Sequence, residues 1–157
     1  MAHPTKALCA AMVAYLNGGS RPWSGDFTAI YQPIPAIATD PNGAEKLATW
    51  RVVVSPSAWT GELASRSGAY DDTHTISIGF IRKMPAGVDW KSSAGATQID
   101  TWLDAVAEVI DDLRANAITL GTFAGGQYTH DIMVSPTDMA ERNTFVSVVR
   151  GEFRDLT

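Results

Sequence analysis

The chain has 157 residues, of which 45% are hydrophobic and 18% are charged, and its net charge is −5. This length fits one domain spanning residues 1–157, and the composition is that of an ordinary soluble globular protein. The acidic balance argues against a nucleic-acid groove, which needs clustered Lys and Arg, and no apolar run approaches the roughly 20 residues of a membrane span.

The N-terminal part of the chain predicts one helix and one short strand. A helix is expected over 4–16, because apolar residues recur on one face and the Asn-Gly-Gly run at 17–19 is a strong stop signal. The single cysteine, Cys9, falls inside this helix, so we expect no internal disulfide and a buried thiol in a reducing compartment. Residues 27–31 alternate apolar side chains on one side, which predicts a short strand.

Two longer strands follow, and we expect them to pair in an antiparallel manner. The first is predicted over 49–55, where apolar side chains alternate between two faces, and Pro56 is expected to end it. The second is predicted over 73–83. Between them, residues 57–72 are rich in Ser, Gly and Ala and form a long connection. We expect this loop to be mobile in the free protein and to become ordered on a neighbouring molecule.

The most strongly patterned segment is 97–116, where apolar residues recur at spacings of three and four and predict an amphipathic helix. Thr97 is expected to cap it, with Asp100 completing a capping box. Asp100, Asp104 and Glu108 follow each other four residues apart on the polar face, and each such like-charge pair costs an isolated helix roughly 0.2–0.5 kcal/mol. Two interpretations stay open: a solvated acidic face, or a surface that meets a basic partner or faces an anion that it must not retain.

The C-terminal part predicts a weak strand over 128–134, a short helical turn that starts at Ser135-Pro136, and a last strand over 144–153. Strands therefore occur together and helices apart along the chain. This order predicts an α+β fold: an antiparallel sheet of about four strands, with two helices packed on one face and a long loop between two central strands.

Residues typical of catalysis do not form a recognisable pattern. The histidine-containing fragments, Asp71-Asp72-x-His74 and His130-Asp131, lack the paired spacing of a metal motif, and His74 is expected at the end of a strand. We find neither a nucleophile elbow nor a phosphate-binding glycine loop. The sequence therefore predicts no metal, no cofactor and no enzymatic activity.

Tryptophans outside the periodic segments are more informative. Trp23, Trp59 and Trp90 all fall in predicted connectors. We expect at least one of them to fold back onto the core, but aromatic residues and Arg in loops are also enriched in protein interfaces. Trp59, Arg66 and Tyr70, all in the long loop, are the first candidates for an interface.

The order of short segments along nearly the whole chain is similar to that in a known family. These segments are Leu16-Asn17-Gly18, Glu45-Lys46-Leu47, Arg51-Val52-Val53-Val54-Ser55-Pro56, Ser65-Arg66, Ile76-Ser77-Ile78-Gly79, the helix with Asp100, Leu103, Ile110 and Leu113, Phe145-Val146-Ser147-Val148 and Glu152-Phe153-Arg154. The pattern resembles that of the small tail-completion proteins of long-tailed bacteriophages, the tail terminators and their neck relatives.

This resemblance implies a virion protein of the tail and neck, assembled in the cytoplasm of the host bacterium. Such subunits are monomeric or weakly associating before assembly and then form a six-membered ring on the last ring of tail tube protein, at the head-proximal end. The ring stops tube growth and presents a surface to the head–tail connector or stopper protein, and DNA passes through it only as transiting cargo. The family has no catalytic residues.

A ring requires a heterologous interface, in which one patch meets a different patch on the next copy. One hypothesis is that the acidic residues Asp100, Asp104 and Glu108 pair across subunits with basic residues, and a second is that they line a channel in which DNA slides without binding. The candidate basic residues are Arg51, Arg66, Arg82, Lys83 and Arg150. The alternative function is a small-ligand or carbohydrate-binding module that uses loop tryptophans. A hydrolase that uses loop carboxylates is a third, lower-ranked alternative.

Overall fold

The protein is described by a computed structural model that covers residues 3–18, 23, 27–34, 50–63 and 70–155. Three helices and five strands occur within these residues. In chain order they are α1 (Pro4–Asn17), β1 (Phe27–Tyr31), β2 (Trp50–Leu63), β3 (Tyr70–Lys83), α2 (Ser93–Asn116), β4 (Phe123–Ile132), α3 (Pro136–Arg142) and β5 (Thr144–Asp155). The predicted α+β class is confirmed.

The described strands form one sheet in the order β1-β2-β3-β5-β4. β1 runs parallel to β2, whereas β2 with β3, β3 with β5 and β4 with β5 are antiparallel. The expected antiparallel sheet of about four strands is thus a mixed sheet of five described strands, with one parallel pairing that the prediction did not include. Parallel neighbours need a connection of about a dozen residues or more, and the chain between Tyr31 and Trp50 is long enough to provide one.

The helices pack on one face of this sheet, as predicted for two of them. Alternate side chains of β2, β3 and β5 are buried against α1 and α2, and α3 adds Met139 to the same core. The opposite face carries a smaller buried cluster of Val53, Ile81 and Val146. Strand alternation therefore places Val52 and Val54 in the main core and Val53 on the other face, as the sequence pattern predicted.

The predicted long loop between the central strands is mostly strand. Pro56 does not end β2; the register shifts between Pro56 and Ala58, and the pairing with β3 then continues to Leu63. Gln32 donates its backbone N–H to the Val54 carbonyl at 3.0 Å. Backbone groups point to alternate sides along a strand, so the Pro56 nitrogen points to the same side of β2 as the Val54 carbonyl. This position lies beyond the last residue pair with β1, so the missing N–H removes no hydrogen bond of the described sheet. Residues 64–69 lie outside the described residues.

Helix α2 begins four residues before the predicted start. Ser92 is the N-cap, and its hydroxyl accepts the N–H of Gly95 at 3.0 Å, whereas the Thr97 hydroxyl inside the helix donates to the Ser93 carbonyl at 3.0 Å. The predicted capping box is therefore wrong. Gly95 approaches the preceding turn so closely that a Cβ at this position would lie 2.1 Å from the Asp89 carbonyl oxygen. Gly95, which precedes the predicted start of the helix, is therefore a packing requirement within it.

The C-terminal elements follow the predicted order with longer strands. β4 begins at Phe123 because its glycines form a bulge, in which Gly125 has φ +70° and the register with β5 shifts between Ala124 and Gln127. Ser135 caps α3 through a 3.4 Å hydrogen bond from the Asp138 N–H, as predicted. The helix ends at Asn143, whose φ of 50° is left-handed.

Candidate assembly surfaces and a basic cleft

The three connector tryptophans have different environments. Trp23 is buried and its indole N–H donates to the Leu16 carbonyl at 3.3 Å, which confirms that at least one of them joins the core. Trp90 is half-buried and packs against that core. Trp59 is 50% exposed and lies on β2 rather than in a loop. It is therefore the one of the three that presents a large surface to solvent.

Of the three interface candidates in the predicted loop, the structure describes only the Trp59 side chain. Arg66 lies outside the described residues, and Tyr70 is the first residue of β3, with no described side-chain environment. Trp59 stacks on His74, its cross-strand partner, at a ring-centroid distance of 5.6 Å, and the edge of His3 contacts it at 5.1 Å. Trp59 thus rests on the start of α1 and the middle of β3.

His74 is fully buried in the middle of β3, so its predicted position at a strand end is wrong. Its Nδ1 is hydrogen-bonded to the Thr5 hydroxyl at 3.0 Å, and its Nε2 has no hydrogen-bond partner among the described residues. Burial lowers the pKa of His74, although Asp155 and Asp72 act in the opposite direction. The ring therefore joins α1 to the sheet as a neutral group.

The remaining titratable groups that suggested chemistry are separate. No three His, Cys, Asp or Glu side chains converge into a metal-binding group within the described residues. His130 is hydrogen-bonded to the Ser147 hydroxyl at 2.5 Å, and burial lowers its pKa. Burial raises the pKa of the Cys9 thiol to about 12, so the thiol is protonated at neutral pH and is a poor nucleophile there.

The acidic face of α2 is exposed as a continuous row. Asp100, Asp104 and Glu108 point away from the buried stripe of the helix, and none of them has an ion-pair partner among the described residues. The nearby cation Arg114 donates instead to the Tyr128 carbonyl at 2.9 Å. We call Asp100, Asp104 and Glu108 the acidic row; its charge is not neutralised within the described part of the chain.

The candidate basic residues differ in availability. Arg150 forms ion pairs with Asp131 at 3.6 Å and with Glu152 at 3.4 Å, and Arg51 is half-buried with interactions of its own. Arg82 lies over the rings of two tryptophans and has no ion pair or hydrogen bond within the described residues. Lys83 beside it is exposed. Among the described residues, the structure therefore separates Arg82 and Lys83 from Arg51 and Arg150 as cations without an ion-pair partner.

Arg82 and Lys83 belong to a cleft of about 540 Å³ at the end of β3. We call it the basic cleft. Its remaining wall is formed by the turn at 85–87 and by side chains from two other segments, α2 and the residue that follows α3. The side chains that line it are Arg82, Lys83, Met84, Gln98, Trp102 and Asn143. No sequence pattern predicts this cleft, because its residues are distant along the chain and only the pairing of β3 with β5 brings Asn143 beside Lys83.

Both edges of the sheet carry exposed apolar side chains. At the β1–β2 edge, Ile30, Ile34 and Trp59 are exposed. At the opposite edge, which β4 forms, Ile132 and Met133 are exposed, the latter by 62%. We call these two groups the β1–β2 edge patch and the β4 edge patch; each is defined by the edge along which it lies, because Ile30, paired with Val53, and Trp59, stacked on His74, point to opposite faces of the sheet. They differ in residues and in strand, so they are two unlike surfaces on one molecule.

Comparison with known proteins adds no assignment. The sequence matches no known protein-family model and no curated protein. Within the described residues, none of the helices has the length and apolar character needed to cross a membrane. The function proposed below therefore depends on the fold and on the surfaces just described.

Proposed function

We propose that the protein is a structural subunit of a phage tail, of the tail-terminator and neck type. In this proposal six copies form a ring at the head-proximal end of the tail tube, stop tube growth and join the tail to the head connector or stopper protein. DNA crosses the ring as cargo, the protein resides in the virion neck after assembly in the host cytoplasm, and it catalyses no reaction. The observation that carries the proposal is the pair of unlike apolar patches on opposite edges of one sheet.

These patches support a ring because of their positions. A two-fold dimer uses the same patch on both copies, whereas a closed ring requires two different patches that meet head to tail. The β1–β2 edge patch and the β4 edge patch satisfy this requirement, since β1 and β4 are the outermost strands. Beyond Val54, β2 also has no described partner on its outer side, so this edge offers both side chains and backbone groups to a neighbour.

The acidic row supports the proposal independently. Carboxylates four residues apart that have no neutralising partner destabilise their own helix slightly. Their presence in α2 is explained if, in the assembly, they contact a basic surface or repel an anion. DNA is held through Lys and Arg contacts to its phosphates, and a carboxylate-lined channel provides none. Both expectations agree with a ring through which DNA passes.

Assembly of the purified chain tests the proposal. We expect ring-shaped oligomers in electron micrographs and a concentration-dependent increase in sedimentation coefficient. Replacing Met133 by Asp places a charge in the β4 edge patch and should prevent assembly while leaving the monomer folded, because the side chain is exposed. The matched control is Ile118→Asp, since Ile118 is 49% exposed near the other end of β4. A chain that stays monomeric at every concentration, or assembly unaffected by Met133→Asp, contradicts the proposal.

The second candidate function is a ligand-binding module. Its expected use of loop tryptophans has weak support, because Trp23 is buried and Trp59 lies on a strand. The observation that favours it is instead the basic cleft, which is lined by Trp102. A monomer whose tryptophan fluorescence changes on adding a small ligand, and which never assembles, would favour this candidate over the ring.

A further inference from the structure

We propose that the basic cleft binds an acidic peptide segment, with Arg82 as the principal contact for a side-chain carboxylate and Asn143 as the acceptor for a peptide N–H. This inference goes beyond the ring proposal and does not depend on it. Three features carry it: a guanidinium held in place with unused donors, an excess of cations around it, and a buried acceptor without a donor.

Arg82 is fixed in position without using its N–H groups. Its guanidinium carbon lies 5.5 Å from the ring centroid of Trp50 and 5.1 Å from that of Trp102, and the two rings contact each other at 5.7 Å. A cation–π contact uses the face of the guanidinium and leaves the N–H donors free. Because no described acceptor receives them, these donors form a preorganised fork of the kind that binds a carboxylate with two hydrogen bonds.

The charge around Arg82 favours an anion. Lys83 also lines the basic cleft, and none of the lining residues is acidic. The whole chain has a net charge of −5, so a cleft lined by two cations and no acidic residue is not the average composition of its surface. Since cations in a recess attract counter-charges more strongly than scattered ones do, the cleft is a favourable site for a carboxylate.

Asn143 supplies an acceptor whose orientation is fixed. Its Nδ2 donates to the Val88 carbonyl at 3.1 Å, and because a carbonyl can only accept, the amide oxygen must be the other atom. That oxygen is buried and receives no hydrogen bond from any residue that the structure describes. The Asn143 backbone is held as well, since its carbonyl accepts the Met84 N–H at 3.0 Å. Buried acceptors are normally paired, so the site lacks one N–H donor.

A ligand that satisfies the site must bring a carboxylate and an N–H group and must tolerate apolar walls. A peptide that contains Asp or Glu has all three properties, because the backbone supplies the N–H and the aliphatic part of the side chain can pack on Met84 and Trp102. Free phosphate or acetate lacks the apolar part. These comparisons favour an acidic peptide over a simple anion.

A titration followed by NMR tests the inference. The probe is an acetylated and amidated Ala-Asp-Glu-Ala peptide, and the readout is the indole N–H signals of Trp50 and Trp102 at low salt. We expect saturable shifts that weaken as salt is raised. The Ala-Asn-Gln-Ala peptide should bind about tenfold more weakly or not at all, because it has the same backbone and volume without the charge.

Variants locate the contact. Arg82→Gln should weaken binding of the acidic peptide at least about tenfold, and Lys83→Gln should weaken it by a smaller factor. Lys6→Gln is the matched control, because Lys6 is an exposed lysine on α1 far along the chain from the cleft, and it should leave binding unchanged. Lys83→Gln keeps the test decisive if Arg82→Gln fails to fold.

Several outcomes would overturn the inference. Equal binding of the charged and amide peptides would exclude the carboxylate contact, and unchanged binding by Arg82→Gln and Lys83→Gln would exclude the site. Acetate or inorganic phosphate binding as tightly as the peptide would reduce the cleft to a simple anion site. Glucuronate binding more tightly than the peptide would assign it to a sugar acid.

Discussion

His74 shows how one buried side chain connects elements that are far apart in the sequence. It is enclosed by the Trp59 and Phe123 rings and shares its only described hydrogen bond with Thr5, at the first turn of α1. Its Nε2 has no hydrogen-bond partner in the described part of the chain, although the residue is fully buried. A protonated ring would place an unpaired charge between two aromatic groups, which is costly. The residue therefore links pH to the stability of the α1–sheet contact.

We expect the free energy of unfolding to decrease as the pH falls below about 6.5, the usual pKa of histidine in an unfolded chain. Burial lowers the pKa of His74 in the folded state, so the unfolded state binds the proton more readily; the stabilisation is complete above that pH and decreases towards the lower folded-state pKa. Urea denaturation between pH 7.5 and 5 measures the dependence. His74→Gln should flatten it.

His130 requires a matched control, because burial lowers its pKa as well. His130→Gln should remove a separate part of the same pH dependence, and the double variant should remove more than either single change. An unaltered dependence in His74→Gln would contradict the assignment to His74. An identical effect of both single variants with no further effect of the double variant would contradict independent contributions.

At the scale of elements, the start of α2 depends on one close approach. Gly95 is buried against Asp89 and Trp90, and a Cβ there would lie 2.7 Å from the Trp90 Cα as well as 2.1 Å from the Asp89 carbonyl oxygen. Both neighbours are backbone atoms, which cannot move aside as a side chain can. The glycine therefore sets the distance between α2 and the turn that precedes it.

Gly95→Ala should destabilise the protein by about 1–3 kcal/mol, the usual range for overpacking a well-packed site. This expectation is opposite to the stabilisation that alanine gives in an unconstrained helix, where it is better than glycine by about 1 kcal/mol. Thermal unfolding measures the change. Ala96→Ser is the control, since Ala96 is exposed one position further along, and it should have little effect. A more stable Gly95→Ala would show that the close approach is wrong.

The same helix shows what the sequence can predict. The apolar stripe of α2 and its end at Asn116 follow from spacing alone, whereas its start does not, because Gly95 suggests a connector unless its contact with Asp89 is known. The extension of β2 beyond Pro56 was missed for a similar reason: a proline is compatible with a strand only where its nitrogen faces an open edge. Local patterns identify periodic elements, and tertiary contacts decide their limits.

The candidate site was predictable only in part. The exposed acidic row follows directly from helical spacing, and its three residues are where the sequence places them. The basic candidates could not be ranked, because Arg150 has one of its partners, Asp131, on β4, whose pairing with β5 was not predicted in full. The cleft around Arg82 depends on segments more than 40 residues apart in the sequence.

At the scale of the whole molecule, the acidic row faces away from the core that unites the helices and the sheet. Its charges therefore affect other molecules more than they affect the fold. Two roles stay open within the proposed ring: contacts with a basic surface of the next copy, and the lining of the channel. A charge reversal in the middle of the row distinguishes both roles from a merely solvated face.

Asp104→Lys should leave the monomer folded and slightly more stable, because it replaces two like-charge pairs with attractive ones worth roughly 0.2–0.5 kcal/mol each. If the row contacts the next copy, this variant should not assemble. If the row lines the channel, rings should form and should retain duplex DNA in a fluorescence anisotropy assay. Glu141→Lys, an exposed reversal on α3, is the control. Normal rings that do not bind DNA would exclude both roles.

Pro56 affects how readily this chain aggregates at high concentration. A free strand border with regularly spaced amide hydrogens is a template on which identical chains stack into fibrils. The imino nitrogen and the adjacent bulge interrupt that template in the middle of β2, on the side that β1 leaves open. Where copies meet along β2, Pro56 therefore disfavours continuous backbone pairing of the kind that extends an amyloid-like fibril, whereas contacts through side chains are unaffected.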